Sequence, residues 1–209
     1  MPRKAPVQAR SKASTEAMLF AGEILFREGG ASAVTLEAVI QRAGVSTGSF
    51  YARFGDMGGY FDAMHTHVLE MLTTEFGALF FKASKENDLE SCLQALLAGG
   101  LKIINDNREG AYFFAVENSQ NTKWRAQGQQ FSKTLVQSTT ELLSSRIPRS
   151  STPAVKLRIE LAVRLMNTII NDAIIRQGAP NPTGKMSEKT YVREVVALLC
   201  GLLRATPKK

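Results

Sequence analysis

Apolar residues in the first part of the chain recur at the spacing of a helix. From Ser14 onward they lie three and four positions apart, on one helical face formed by Met18, Ala21, Gly22, Leu25 and Phe26. The pair Gly29-Gly30 ends this helix. Thr35 is a suitable N-cap for a second short helix, and Ser46 for a third that runs to Phe54. The pattern therefore predicts three helices within the first 54 residues.

The remainder of the chain also follows a helical pattern and offers few strand signals. Clusters of Asn, Asp, Gly and Pro separate the segments. The predicted helices cover 57–83, 88–105, 108–119, 121–146, 153–177 and 187–204. The predicted fold class is all-α, with about nine helices: an N-terminal three-helix module followed by a larger helical domain.

The turn between the second and third helices contains Gly44 and is short, which is typical of a helix-turn-helix unit. A helix that enters a DNA groove presents small polar residues outward, so that its backbone can approach the bases. Serine and threonine hydroxyls can bond to bases, glycine leaves clearance, and tyrosine and arginine reach phosphates. The candidate DNA-binding residues are Thr35, Ser46, Thr47, Gly48, Ser49, Phe50, Tyr51 and Arg53.

Alternative roles remain open for Phe50, for Arg53 and for the hydroxyl residues of this set. Phe50 belongs mainly to the core, but its edge could touch a thymine methyl group. Arg53 is either a phosphate contact or an ordinary solvated arginine. The hydroxyl residues as a group could belong to a solvated short helix that binds nothing.

The last helix is apolar on two faces, one formed by Tyr191, Val195, Leu198 and Leu202 and the other by Val192, Val196, Leu199 and Leu203. A terminal helix of this kind needs two partners, one in its own subunit and one elsewhere. We therefore expect a homodimer. The predicted interface residues are Leu161, Leu165, Ile169, Val195, Leu198, Leu199 and Leu202.

Aromatic residues cluster in the middle helices, where ligand sites of helical domains form between apolar walls. An ordinary packed core accounts for the same residues equally well. The candidates for a small-molecule pocket are Phe76, Phe80, Phe113, Phe114, Trp124 and Phe131.

The formal net charge is +7, which suits a polyanionic partner but also an ordinary basic protein. Residues 1–12 contain Arg3, Lys4, Arg10 and Lys12 and no acid. The basic N-terminal arm at 1–11, with Lys12, is either a disordered arm that lies along phosphates or in the minor groove, or a solubility tail. No apolar run reaches the length of a membrane span, and no signal peptide precedes the first helix. Two distant cysteines favour a reducing cytoplasm.

The sequence offers no catalytic constellation. His65 and His67 lie two positions apart on a helix, so they point about 200° apart and cannot bind one ion together. Zinc-protease, nucleophile-elbow and phosphate-loop motifs do not occur. We expect no enzymatic activity, no metal and no cofactor.

From about Lys12 to Phe61 the chain resembles the TetR family of bacterial transcriptional regulators. The resemblance lies in the phrases AGEILFREGG, TLEAVIQRAGVS and TGSFYARF in their order and spacing. It implies a helix-turn-helix domain at 12–60 and a ligand-binding and dimerisation domain at 61–205. The implied function is a repressor, released from a near-palindromic double-stranded DNA operator by a small-molecule effector.

One position departs from the family pattern, which usually has a lysine near the start of the fourth helix. This chain has Met57, followed by Gly58 and Gly59, which weaken a helix. Two other functional classes stay open. One is a ligand-independent DNA-binding protein or activator, and the other is a helical enzyme or carrier that uses the aromatic residues.

Overall fold

The computed structural model of the 209-residue chain describes residues 7–176 and 186–205, with side chains from Ser11 onward. Within these ranges the structure contains nine α-helices and no strand, which confirms the all-α prediction. The helices are α1 (Val7–Gly29), α2 (Leu36–Ala43), α3 (Thr47–Phe54), α4 (Met57–Ser84), α5 (Leu89–Asp106), α6 (Arg108–Tyr112), α7 (Thr122–Arg146), α8 (Pro153–Ile175) and α9 (Glu188–Arg204).

Two elements differ from the sequence prediction. Helix α1 begins at Val7, so residues 7–11, which the pattern assigned to an irregular basic arm, are helical. Residues 1–6 of that arm lie outside the described residues. The predicted helix at 108–119 is a short α6 that continues as a π-helical turn, Phe113–Glu117. Asn118 ends this turn by donating its side-chain amide to the carbonyl of Phe113, at 3.0 Å.

The chain divides into two compact units. The first contains the described residues up to Glu70 together with Glu109–Trp124, and the second contains Met71–Arg108 and the described residues from Arg125 onward. These units reflect packing, whereas the predicted division at residue 60 is functional and stays a prediction. In the part of the chain that the structure describes, no helix is long and apolar enough to cross a membrane.

The core of the first unit is centred on Tyr60, whose side chain is completely buried. Its hydroxyl donates a hydrogen bond to the backbone carbonyl of Met18, at 2.9 Å, and so joins α4 to α1. Burial, with a smaller contribution from the charge of Glu23, raises the pKa of Tyr60, which keeps the hydroxyl protonated as a donor. Phe50 and Met64 are also fully buried in this unit.

Two charged pairs hold α1 to its neighbours in the same unit. The Nε2 atom of His67 on α4 lies 2.5 Å from Oε1 of Glu23, and this hydrogen bond raises the pKa of His67. Arg42 at the end of α2 bonds to Glu28, at 2.7 Å between Nη2 and Oε2. The two pairs join residues that are 14 and 44 positions apart in the sequence, so they are tertiary contacts that local propensity does not encode.

In the second unit, α5 supplies the central core and packs against α8 and α9. Leu93, Leu97 and Leu101 of α5 are fully buried. At the end of α7, the guanidinium of Arg146 donates to the backbone carbonyls of Ala83, Ser84 and Glu86, at 2.6–3.0 Å. Those carbonyls lie at and just beyond the C-terminus of α4, so Arg146 satisfies acceptors that the helix itself leaves unpaired.

The packing around Tyr60 predicts a large effect of a single methyl group at Gly22. A Cβ atom there would lie 2.2 Å from the Tyr60 hydroxyl and 2.8 Å from the sulfur of Met64. We expect Gly22→Ala to lower the free energy of unfolding by about 1–3 kcal/mol, because the buried ring has to move. Denaturant unfolding followed by circular dichroism measures this change.

The matched control is Gly77→Ala in α4. Gly77 is exposed, and an added Cβ meets no atom within 4 Å, so alanine should raise stability by up to ~1 kcal/mol. If Gly22→Ala stabilised the protein as Gly77→Ala does, the tight contact between α1 and α4 would be refuted.

Candidate nucleic-acid interface

The turn between α2 and α3 depends on Gly44. This residue ends α2 in the left-handed conformation, with φ 65° and ψ 34°, which strains any residue that carries a Cβ atom. The amides of Gly44 and Val45 donate to the carbonyls of Gln41 and Ile40, at 3.3 and 3.1 Å. These bonds close the helix end and set the direction in which α3 begins.

Two of the candidate hydroxyls begin helices. Thr35 accepts a hydrogen bond from the backbone amide of Ala38, at 3.2 Å, and is the N-cap of α2. Ser46 accepts from the amide of Ser49, at 3.1 Å, and is the N-cap of α3. The hydroxyls of Ser46 and Ser49 also share a hydrogen bond of 2.9 Å. Thr35 and Ser46 therefore have a structural role in positioning the helices.

Helix α3 is buried at one residue and exposed at most of the others. Its inward face is anchored by Phe50, which is 0% exposed and packs against Phe54 and Tyr60, with ring centroids 5.1 and 5.2 Å apart. This burial excludes the predicted contact of Phe50 with a thymine methyl group, so Phe50 is removed from the candidate DNA-binding set. The other residues of the helix from Thr47 to Arg53 are exposed, among them Thr47, Gly48, Ser49 and Tyr51.

Arg53, predicted to reach phosphates, makes a contact that the sequence did not indicate. Its Nη2 atom donates to the backbone carbonyl of Ser11, at 3.1 Å, and to the hydroxyl of the same residue. Arg53 lies in the last turn of α3, and Ser11 lies in the second turn of α1. A separation of 42 residues leaves no periodic signal from which this pairing could have been inferred.

The connection from α3 to α4 explains the glycines that follow Met57. Asp56 accepts a hydrogen bond from the amide of Gly59, at 2.8 Å, which caps the start of α4. A Cβ atom at position 59 would lie 2.0 Å from the carbonyl oxygen of Phe54. Gly59 is therefore required by the tight turn, although glycine alone disfavours a helix. Met57 itself is half-buried in the first turn of α4.

The six aromatic candidates for a pocket fall into two groups, one in each compact unit. In the first unit, Phe114 lies edge-on to Phe113 and to Trp124, with both centroid distances 5.0 Å. In the second unit, Phe76 packs against Phe80 and Phe131, with centroid distances of 6.5 and 6.0 Å. The contacts among these aromatic residues are therefore given for each unit by itself.

A polar cluster that the sequence analysis did not identify surrounds Trp124. Its indole nitrogen donates to Asp62, at 2.7 Å, and Lys123 donates to the other carboxylate oxygen at the same distance. These two bonds, that from Lys123 foremost, lower the pKa of Asp62. The buried ring of His65 stacks on Trp124, with an angle of 18° between the planes.

His65 and His67 therefore have different partners, the first in the aromatic core and the second at Glu23. This fits the expectation that they point apart on one helix. Among the residues that the structure describes, no group of three or more His, Cys, Asp and Glu is placed to hold a metal ion.

The two apolar faces of α9 differ sharply in burial. The face with Val192, Val196, Leu199 and Leu203 is buried within the chain, whereas Leu198 on the other face is 74% exposed. Leu199, at 2% exposure, belongs to the core, which corrects its place among the predicted interface residues. On α8, Leu161 and Leu165 are 45% and 44% exposed. The remaining candidates are half-buried, namely Ile169, Val195 and Leu202.

Comparisons with known proteins agree with this arrangement. The family model for bacterial regulatory proteins of the tetR family matches residues 19–64, which contain the C-terminal part of α1, all of α2 and α3, and the start of α4. No match to the chain was found among curated protein sequences.

Three solved structures share the fold over nearly their whole length. A TetR-family regulator from Mesorhizobium loti has a TM-score of 0.71 and 16% identity, with 93% of this chain and 96% of that one covered. The fatty acid degradation regulator FadR from Bacillus halodurans has a TM-score of 0.64, 17% identity and coverages of 98% and 100%. A transcriptional regulator from Rhodococcus sp. has a TM-score of 0.64, 18% identity and coverages of 91% and 95%.

At these identities the structural likeness shows the fold alone, and the family model identifies the N-terminal module. The two findings agree, because the matched module is followed by the helices that such regulators share. They confirm the resemblance seen in the sequence. Residues 19–64 match the tetR family of bacterial regulatory proteins, and the chain as a whole has the fold of TetR-family regulators.

Proposed function

We propose that the protein is a sequence-specific DNA-binding transcriptional regulator that inserts α3 into the major groove. The observation that carries this proposal is that α3 is buried at Phe50 and exposed at the other candidate residues. Phe50 fixes the helix from inside, while Thr47, Gly48, Ser49 and Tyr51 are exposed together on the outside. A rigid helix with small outward residues can bring its backbone close to base edges.

The exposed candidate residues of α3 differ in the length of their side chains. Thr47 and Ser49 carry short hydroxyls that can bond to base edges, and Gly48 between them removes a side chain from the line of approach. Tyr51, which is 49% exposed one turn later, is long enough for a phosphate oxygen. The N-caps at Thr35 and Ser46 support this arrangement by fixing where α2 and α3 begin.

The exposed leucines of α8 and α9 support a homodimer. Leu161, Leu165 and Leu198 are large apolar side chains exposed on helices whose other faces already fill the core. Covering them with a second copy buries apolar area about a two-fold axis. Such a dimer presents two α3 helices to a near-palindromic operator. In this proposal residues 12–60 bind DNA, and 61–205 form the dimerisation and effector domain.

The regulatory mechanism that fits this organisation is repression relieved by a small molecule. The effector would stabilise a state whose two α3 helices no longer match successive major grooves. Its differential affinity for the two states would supply the free energy, since equal affinity shifts no equilibrium. The FadR neighbour from Bacillus halodurans is described as a fatty acid degradation regulator, so fatty acids belong among the compounds to test. The proposed location is the cytoplasm.

A second candidate is a DNA-binding regulator that responds to no ligand. The specific observation in its favour is the mutual packing of the aromatic candidates. Phe113, Phe114 and Trp124 contact one another, and Phe114 and Trp124 also contact the buried His65. Rings that fill their own space in this way need no effector to complete the core.

Selection of bound sequences from a random pool of double-stranded DNA tests both candidates. The proposal requires an enriched motif with inverted symmetry. Repeating the selection with fatty acids and small aromatic compounds separates the candidates, because only the effector-controlled regulator loses the motif. A pool that stays unenriched would refute DNA recognition.

On the selected operator, Ser49→Ala should weaken binding by ~1–3 kcal/mol and relax the preference at one position of each half-site, because a base contact is lost. Tyr51→Phe should weaken all sequences together, since a phosphate contact carries no sequence information. Fluorescence anisotropy on the operator and on scrambled DNA measures both effects. Ser84→Ala removes an exposed hydroxyl elsewhere and serves as the control. Equal loss on both DNAs for Ser49→Ala would exclude base recognition by that hydroxyl.

The adjacent leucines of α9 provide a matched test of the dimer. Leu198→Glu places a charge on the exposed face, so it should yield a folded monomer. Leu199→Glu places the same charge in the core and should lower the free energy of unfolding by ~3–5 kcal/mol. Sedimentation gives the oligomeric state and thermal unfolding gives the stability. A Leu198→Glu protein that remains a dimer would move the interface away from α9.

Met57 occupies a position where the TetR family usually has a lysine, so a lysine introduced there should raise the affinity for DNA. A lysine there would lie in the first turn of α4, where the helix N-terminus also attracts phosphate. Met57→Lys should strengthen binding to operator and unrelated DNA alike. The slope of log K against log salt should steepen by about 0.9 per contact, nearly two units for a dimer. An unchanged slope in a folded variant would show that α4 does not approach the DNA backbone.

A further inference from the structure

The first described side chains of α1 are exposed. Ser11, Lys12 and Ala13 are exposed, and the first buried side chain of the helix, within its described side chains, is that of Met18. Lys12 pairs with Glu16 at 3.8 Å, but both side chains are largely exposed, and such pairs contribute little. A helical segment without burial is marginal in water and tends to fray.

The contact with Arg53 gives this part of α1 a tertiary attachment. One nitrogen of the guanidinium, Nη2, donates both to the carbonyl and to the hydroxyl of Ser11. The same carbonyl accepts the hydroxyl of Thr15, at 2.9 Å, so the bonds converge on one turn of α1. The backbone of Arg53 is held in place, because it belongs to α3, which is anchored by the buried Phe50. The N-terminal turns of α1 are thereby tied to the recognition helix.

We propose that Arg53 is a positioning residue that holds the first turns of α1 beside the end of α3. The basic residues of those turns, Arg10 and Lys12, then bind DNA phosphates next to the half-site. This inference deepens the proposed function and rests on it. Arg53 thus contributes to DNA affinity through α1, and the phosphate contacts are made by the helix that it orders.

The proposed role of Arg53 is indirect, whereas the sequence suggested a direct contact with phosphate. An arginine that binds phosphate directly contributes its charge whatever happens elsewhere in the protein. An arginine that orders α1 contributes only while the basic residues of α1 are present. The guanidinium has five N–H donors, of which two are used on Ser11, so a direct contact is the competing explanation. The two roles predict different results when Arg53 and the basic residues of α1 are changed together. The losses of DNA affinity add for a direct phosphate contact, and they do not add for a residue that acts through α1.

The first experiment uses the full chain without DNA. Hydrogen exchange of the amides around Ser11–Ala17 should accelerate by about three- to tenfold in Arg53→Gln, the range for loss of an ordinary hydrogen bond. Arg42→Gln is the control, because it removes another exposed arginine of the module that pairs with the opposite end of α1, at Glu28. It should leave the first turns of α1 unchanged. Unaltered exchange in Arg53→Gln would overturn the proposed attachment.

The second experiment is a double-mutant cycle on the selected operator across a salt series. It combines Arg53→Gln with the paired change Arg10→Gln and Lys12→Gln. Alone, Arg53→Gln should weaken binding about three- to tenfold and flatten the salt slope. In the background without Arg10 and Lys12 it should change affinity by less than about twofold. An additive loss, with the slope reduced by about 0.9 per subunit in both backgrounds, would assign Arg53 a direct phosphate contact and overturn the proposal.

The two experiments keep this inference separable from the proposed function. If the wild-type protein bound no DNA, the proposed function would fail, and the role of Arg53 in DNA binding would fail with it. The exchange experiment would still decide whether Arg53 orders α1. If the wild type bound its operator and the cycle were additive, only the positioning role would be lost.

Discussion

The buried contact between α4 and α1 through Tyr60 is the constraint on which the rest of the N-terminal unit depends. The hydroxyl reaches the Met18 carbonyl only because Gly22, one turn further along α1, has no side chain. The ring in turn packs against Phe50, so the same residue that joins α1 to α4 also seats α3. A helix of eight residues cannot hold a fixed direction by itself, and the contact of Phe50 with Tyr60 is one of those that set the direction of α3.

Around this centre, backbone geometry does the remaining positioning. Gly44 permits the left-handed residue that turns the chain between α2 and α3, and Gly59 lets α4 start directly beneath the carbonyl of Phe54. Capping by Thr35, Ser46 and Asp56 sets the first residue of each helix. The exposed residues of α3 are therefore available to a partner, because the turns and caps that position the helix are formed mainly by other residues.

The same separation of roles appears in α9. One face is buried in the core with α5 and α8, and the other leaves Leu198 exposed. A period of 3.6 residues makes Leu198 and Leu199 diverge by 100°, so neighbouring residues of equal hydrophobicity have opposite environments. Only burial distinguishes the residue that stabilises the chain from the one available to a second copy.

The sequence by itself determined the helical fold class, the positions of most helices and the N-caps of α2 and α3, because periodicity and capping are local. It also indicated the family, since the motif residues are contiguous. Tertiary structure decided what depends on contacts distant in sequence. It buried Phe50 and Leu199, divided the aromatic candidates into two groups, and paired Arg53 with Ser11 and Asp62 with Trp124. These pairings span 42 and 62 residues, and no local pattern encodes a partner at such a separation, because the partner is set by how whole helices pack.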